Sequence, residues 1–189
     1  MGRKSNAAAK RIEIVEALYA CLSQKGHETV TIKEIAVQAG VAPGAIHYYF
    51  KSKDEIVACL MEYLAEKYQA LFSEEFSKIQ GLEDFCERFA DFLCEEFIFN
   101  VPLNRVFYNL VQMGFESAVV QKPLQQMMSV YREQSLDRFS GADYAFDDKG
   151  YLLVAVVEGL ALQWVIEPAP NEKEGIRKIV RSLMDQLNG

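Results

Sequence analysis

Residues 31–56 read TIKEIAVQAGVAPGAIHYYFKSKDEI. Thr31 is followed three positions later by Glu34, the spacing of a capping box: the threonine hydroxyl serves one orphan amide and the glutamate reaches back to another. A helix therefore starts at Ile32 and ends before Gly40. Pro43 suits the first position of the next helix, where its missing N–H is not needed. That helix is confined to 43–49, because Ser52 and Glu55 repeat the capping-box spacing and open a further one. Two short helices joined by the Gly40-Val41-Ala42 turn make a helix-turn-helix with its second helix presented outward.

The second helix runs through His-Tyr-Tyr-Phe directly into Lys-Ser-Lys. Its spacing turns Val41, Ile46 and Phe50 inward, against Ile35, Ala36 and Leu18. Pro43, Gly44, His47, Tyr48 and Tyr49 are left on or near the surface. In such motifs the second helix enters the major groove, its N-terminal residues reach base edges and flanking groups hold phosphates. Gly44 lets the backbone come close to DNA, and tyrosine hydroxyls bond phosphates without a charge penalty. Lys53 adds an ammonium group at a helix N-terminus, where anions bind well. The competing reading of Tyr48 and Tyr49 is partial burial as packing residues.

Charge is divided in the same sense. Residues 1–53 carry eight basic and four acidic side chains, net +4, whereas the whole 189-residue chain stands at −7. A basic head on an acidic body favours a polyanion at one end and repels it from the other. Apolar residues at Ile14, Ala17, Leu18, Cys21 and Leu22 form one stripe of an amphipathic helix that stops at Gly26. After the second capping box the pattern continues through Leu60, Leu64, Tyr68, Leu71 and Phe72 to about residue 79. Further helices are expected at 82–99, 102–113, 123–139, 147–166 and 172–187, separated by Asn100-Val101-Pro102, Gly114, Gly141 and Pro168-Ala169-Pro170. No segment alternates as a strand does. The chain reads as all-α, with about nine helices in two parts: a DNA-binding head at 1–53, and a ligand-binding and dimerisation domain at 54–189.

The 31–56 run resembles the N-terminal DNA-binding domain of the TetR family of transcriptional regulators. It has the capping threonine, Ile35-Ala36, Ala39-Gly40-Val41, Gly44, Tyr49-Phe50 and Lys51-Ser52-Lys53 together at the family's spacing, and the similarity extends over about residues 8–60. The resemblance implies a homodimer that binds a palindromic operator and usually represses transcription until a small molecule binds the C-terminal domain; a cytoplasmic location is expected from the cysteine usage. Carried over by position, Thr31, Tyr49 and Lys53 contact phosphates, while Gly44 and His47 lie at the groove. Two positions depart from the family: Ala42 stands where many members have Ser or Thr and cannot donate a hydrogen bond, and His47 stands where many have Tyr. An activator of the same family, or a helical interaction module without sequence-specific DNA binding, are the alternatives.

In the body, the last two helices are strongly apolar. Ala155, Gly159, Leu162, Ile176, Val180 and Leu183 are expected to form a four-helix interface with a second copy. Aromatic and thioether side chains crowd the middle helices. Phe89, Phe107, Met127 and Trp164, with Tyr108, Gln112, Tyr131 and Gln163 as polar handles, are expected around a small, largely hydrophobic effector. Both histidines, His27 and His47, lie in the head, so a histidine-based triad or metal site in the body is excluded. Adjacent acidic pairs such as Glu95-Glu96 diverge around a helix. Neither an enzyme, a cofactor nor a metal site is expected. The apolar run at 151–166 contains Glu158 and reads as a buried helix rather than a membrane span. The four cysteines, with no C-x-x-C pair, read as core residues of a reducing compartment.

Overall fold

The structure, a computed structural model, describes residues 2–134 and 146–188. Among the described residues there are nine α-helices and no strand. The chain runs through α1 (Gly2–Leu22), a 3₁₀ turn (His27–Thr29), α2 (Ile32–Gln38), α3 (Pro43–Tyr49), α4 (Lys53–Phe76), α5 (Leu82–Phe92), α6 (Val101–Glu116), α7 (Ala118–Gln134), α8 (Phe146–Ile166) and α9 (Lys173–Asn188). It divides into two compact units, Met1–Ala70 with Arg105–Met127, and Leu71–Asn104 with Met128–Gly189.

In the first unit α1 packs on α2 and α3. Ile14, Leu18, Leu22, Ile35, Ala36, Ile46 and Phe50 are buried, while Val41 is only half-buried. Removing each of the larger aliphatic and aromatic side chains from water contributes roughly 1.5–3 kcal/mol. Between α2 and α3 the backbone reverses at Gly40, which has φ +64°. That left-handed conformation is costly for any residue with a Cβ.

The second unit is centred on rings. Phe76, Phe85 and Phe89 are buried together, Phe85 stacks on Phe89 at 5.3 Å, and Leu153, Val157, Trp164, Val180, Met184 and Leu187 complete the cluster. Cys86 and Cys94 sit in the same core, and burial pushes the Cys94 thiol up to about 12. Cys59, half-buried in the first unit, accepts from Arg11 Nη2 at 3.3 Å. All four cysteines are free.

Three features of the helix boundaries differ from the expected ones. Beyond α5 the helix widens into a π-helical segment, Leu93–Ile98, closed by Phe99 N–H donating to the Cys94 carbonyl at 2.8 Å. α6 runs through Gly114, where a Cβ would lie 3.1 Å from Leu124 Cδ2. That glycine serves close helix approach and not a break. α7 begins at Ala118, five residues before Pro123, and its first amides are received by the Ser117 carbonyl at 3.0 and 2.9 Å. Pro123 costs that helix one hydrogen bond without ending it; the expected extension to 139 lies outside the described residues. Residues 149–166 of α8 are long and apolar enough, by length and composition alone, to cross a membrane. Leu153, Val157, Ala161 and Trp164 of that stretch are buried within the second unit.

Candidate nucleic-acid interface

The local chemistry that starts α2 is present in full. Glu34 N–H donates to Thr31 Oγ1 at 3.2 Å, and Thr31 N–H donates to Glu34 Oε2 at 2.8 Å. The Glu34 carboxylate also receives the Lys25 ammonium, which with the Thr31 amide holds its pKa down to about 2. The second box is displaced by one residue. Ser52 Oγ accepts from Glu55 N–H at 3.2 Å, but the Glu55 carboxylate accepts from Lys51 N–H, at 2.7 Å, one residue before the expected donor.

α3 shows two opposed faces. Ile46 on the helix and Phe50 just after it are buried, whereas Ala42, Pro43, Gly44, His47 and Tyr48 are all exposed, Tyr48 by 81%. A Cβ at Gly44 would meet nothing within 4 Å, so the space in front of it is open. Tyr48 and Tyr49 meet edge to face at 5.0 Å, with Tyr49 half-buried beneath. Thr31 is exposed at the start of α2. Ala42 caps α3 without a side-chain hydrogen bond, as its methyl requires.

Lys53 departs from the free ammonium expected of it. Its Nζ donates to the His27 carbonyl at 2.6 Å, and partial burial lowers its pKa. One of its three hydrogens is thus spent on the 3₁₀ turn, leaving two for a phosphate.

Several residues that position this surface carry no sequence signal. Arg11 lies 4.0 Å over the Phe50 ring, donates to the Tyr49 carbonyl and reaches Glu55 Oε1 at 3.3 Å, so one guanidinium ties the end of α3 to the start of α4. Asn109 of α6 is buried: its Oδ1 accepts from His27 N–H at 2.6 Å and its Nδ2 donates to the carbonyls of Leu22 and Lys25 at 3.0 and 3.2 Å. The carbonyls left without helical partners at and just beyond the end of α1 are therefore satisfied by a side chain eighty residues later in the chain. Ser117 donates to Asp54 at 2.9 Å on the same unit.

The residues expected around an effector fall in both units. Tyr108 and Gln112 line an open cavity of about 330 Å³ with Leu22, Gln24, Lys25, Gly26, Arg105 and Asn109, all in the first unit. Phe107 stands edge-on to Tyr108 at 5.8 Å and Met127 is buried in that unit. In the second unit Phe89 and Trp164 are core, the latter 4.7 Å from Phe99. Gln163 is exposed and returns its amide to the Gly159 carbonyl. Tyr131 meets Phe97 at 6.0 Å. Burial, and after it the Glu158 charge, raises the Tyr131 phenol to about 12, while burial raises Glu158 to about 7. Sequence reading passed over Glu158 as a member of this group, since a single acid in an apolar run shows no partner.

Of the residues expected at a dimer interface, Ala155 and Leu162 are exposed and Gly159 and Ile176 half-buried. Val180 and Leu183 are buried in the second unit's own core, so the outward apolar side chain of α9 is Ile179 instead.

A basic-headed helix-turn-helix with one face of its second helix bare defines a DNA-binding transcriptional regulator. Residues 14–60 match the family described as bacterial regulatory proteins, tetR family, so the head is a domain of that family. It is 22% identical over 204 aligned residues to the HTH-type transcriptional regulator PksA of Bacillus subtilis, covering 99% of this chain and 94% of that one. A TetR transcription regulator from Haloarcula marismortui has the same fold, with TM-score 0.82, 19% identity and coverage of 95% and 98%. So does a transcriptional regulator from Saccharomonospora viridis solved in complex with choline, with TM-score 0.81, 16% identity and coverage of 94% and 96%.

Proposed function

We propose that the chain represses transcription by binding a palindromic operator as a homodimer, and that a small molecule bound in its C-terminal part releases it. Functionally, the division then falls near residue 53: DNA contacts before it, effector and partner contacts after it. The observation that carries the reading is the bare face of α3, where Gly44, His47 and Tyr48 stand exposed on a helix whose opposite side is buried. Pro43, Gly44, His47 and Tyr48 face the groove, and Thr31, Tyr49 and Lys53 hold phosphates. The dimer reading is supported by a strip on α8 in which Leu152, Ala155, Leu162 and Ile166 are exposed and Gly159 is half-buried, spaced alternately by three and four residues, with Ile166 73% exposed and Ile179 52% on α9. Such spacing keeps one seam facing a partner helix.

Selection of duplexes from a random pool at about 150 mM salt tests the reading, because non-specific phosphate binding weakens steeply there. One enriched palindrome, lost in His47→Ala/Tyr48→Ala, is the expected result. Binding without a motif would make the head an interaction module instead. A motif lying upstream of a promoter and raising transcription would make the protein an activator.

A second reading concerns the effector. Phe97, Tyr131 and the half-buried Glu158 put aromatic faces and one carboxyl group, which a bound cation would ionise, in the same unit. Rings with a carboxylate suit an apolar molecule bearing a cationic head, and the choline-bound Saccharomonospora neighbour supports that chemistry. Calorimetric titration with quaternary ammonium compounds against fatty acids separates this reading from a purely hydrophobic effector. An effector that favours the non-binding state by about 3 kcal/mol weakens operator binding roughly a hundredfold, within the usual range of allosteric coupling.

A further inference from the structure

We propose that His27, Glu28 and Glu116 form a binding site for a divalent first-row transition-metal ion. One possible donor atom from each, an imidazole nitrogen and two carboxylate oxygens, lies within 4.8 Å of the other two. All three belong to the first unit: His27 and Glu28 to the 3₁₀ turn, Glu116 to the last residue of α6. Glu28 and Glu116 are exposed, whereas His27 is only 7% exposed. Its backbone is tied on both sides, the N–H to Asn109 and the carbonyl to Lys53. The imidazole itself makes no hydrogen bond or ion pair with any described residue, and neither do the two carboxylates.

An imidazole fixed by its own backbone on both sides, without a partner among the described residues and within 4.8 Å of two carboxylates that repel each other, is an arrangement that a cation resolves. Metal-to-nitrogen and metal-to-oxygen bonds of about 2.0–2.2 Å place donor atoms roughly 3–3.5 Å apart. Rotation of the two exposed glutamates closes the remaining gap, while the fixed histidine supplies the anchor. One nitrogen and two oxygen donors suit zinc or manganese better than magnesium, which prefers oxygen alone. Water would fill the other positions. The ion would fasten the 3₁₀ turn just before Thr31, which caps α2, to the end of the helix whose Asn109 already holds the same turn.

Titration of the full chain with Zn²⁺, Mn²⁺ and Mg²⁺, by calorimetry and by thermal melting, is the test. The expected result is one Zn²⁺ or Mn²⁺ per chain, with a raised melting temperature, and weaker Mg²⁺ binding. Changes to groups outside the ligand shell already cost about 10–100-fold in metal affinity, so His27→Gln and Glu116→Gln should each weaken binding by at least about tenfold. Glu116→Gln, at an exposed position, removes one carboxylate without disturbing the core and keeps the test valid if His27→Gln fails to fold. Absence of saturable binding overturns the proposal, and so does binding that persists unchanged in Glu116→Gln.

Discussion

Replacing Asn109 by alanine should loosen the turn that leads into the recognition motif. The amide makes three bonds to backbone groups of the head: it accepts from His27 N–H at 2.6 Å and donates to the Leu22 and Lys25 carbonyls at 3.0 and 3.2 Å. Truncation orphans all three. A buried unsatisfied donor or acceptor costs about 1–3 kcal/mol. Leu22 and Lys25 both line the 330 Å³ cavity, so water that enters it can recover part of the loss at their carbonyls. The His27 N–H loses its acceptor as well, and the expected net cost is about 2–4 kcal/mol. Amide hydrogen exchange reads this locally: at about 1.4 kcal/mol per factor of ten, exchange at His27 should accelerate by one and a half to three decades, while the amides of the second unit's core keep their rates. Asn109→Asp sharpens the argument, because it keeps the acceptor for His27 N–H yet sets a carboxylate against two carbonyl oxygens. It should protect His27 better than alanine does while still lowering stability in urea. Unchanged His27 exchange in Asn109→Ala would refute the reasoning, since the three bonds would then contribute nothing that solvent does not replace.

Three further outcomes are expected. Gly40→Ala places a Cβ at φ +64°, where no neighbouring atom interferes, so its cost is the backbone conformation alone, about 1–2 kcal/mol in denaturant unfolding. Gly44→Ala meets open space inside a helix and should stabilise the fold by about 0.5–1 kcal/mol, yet weaken operator binding if that backbone approaches DNA; gel shift and urea titration on one preparation decide it. Glu158, at about 7 in the fold against an ordinary 4.5, holds its proton in the native state while the unfolded chain releases it. Stability should therefore be full below about pH 4.5 and fall by up to about 3 kcal/mol as pH rises to 7, and Glu158→Gln should remove that slope in melting curves taken across the window.

The head was legible because its instructions are local. Thr31 and Glu34, Pro43, and Ser52 with Glu55 each act within one turn of helix, and the bounds of α2 and α3 follow from them. Where a boundary depended on a distant segment, local rules misled. Gly114 resembles a helix break until Leu124 is seen 3.1 Å from where its Cβ would stand, and Pro123 resembles a helix start although Ser117 has already received the first amides. The π-helical widening at Leu93–Ile98 has no counterpart in a 3.6-residue pattern.

The same distinction separates the residues that would touch DNA from those that hold them in place. Exposure of Gly44, His47 and Tyr48 follows from helical spacing, so a sequence can nominate them. Arg11 and Asn109 act on backbone carbonyls, at Tyr49 and at Leu22 and Lys25, and Lys53, nominated by the sequence for a phosphate, also holds one at His27. A carbonyl has no residue identity, and a bond to it leaves no complementary letter elsewhere in the chain. Asn109 is therefore an unremarkable polar residue on an apolar helix until the fold brings the end of α1 against it. Its burial is also what makes it sensitive: a surface asparagine could exchange its bonds for water, whereas this one, 8% exposed, determines whether His27 keeps a partner at all. Any small molecule that entered the neighbouring cavity and drew the Asn109 amide away would act on the recognition motif through the 3₁₀ turn alone, without needing to move α4.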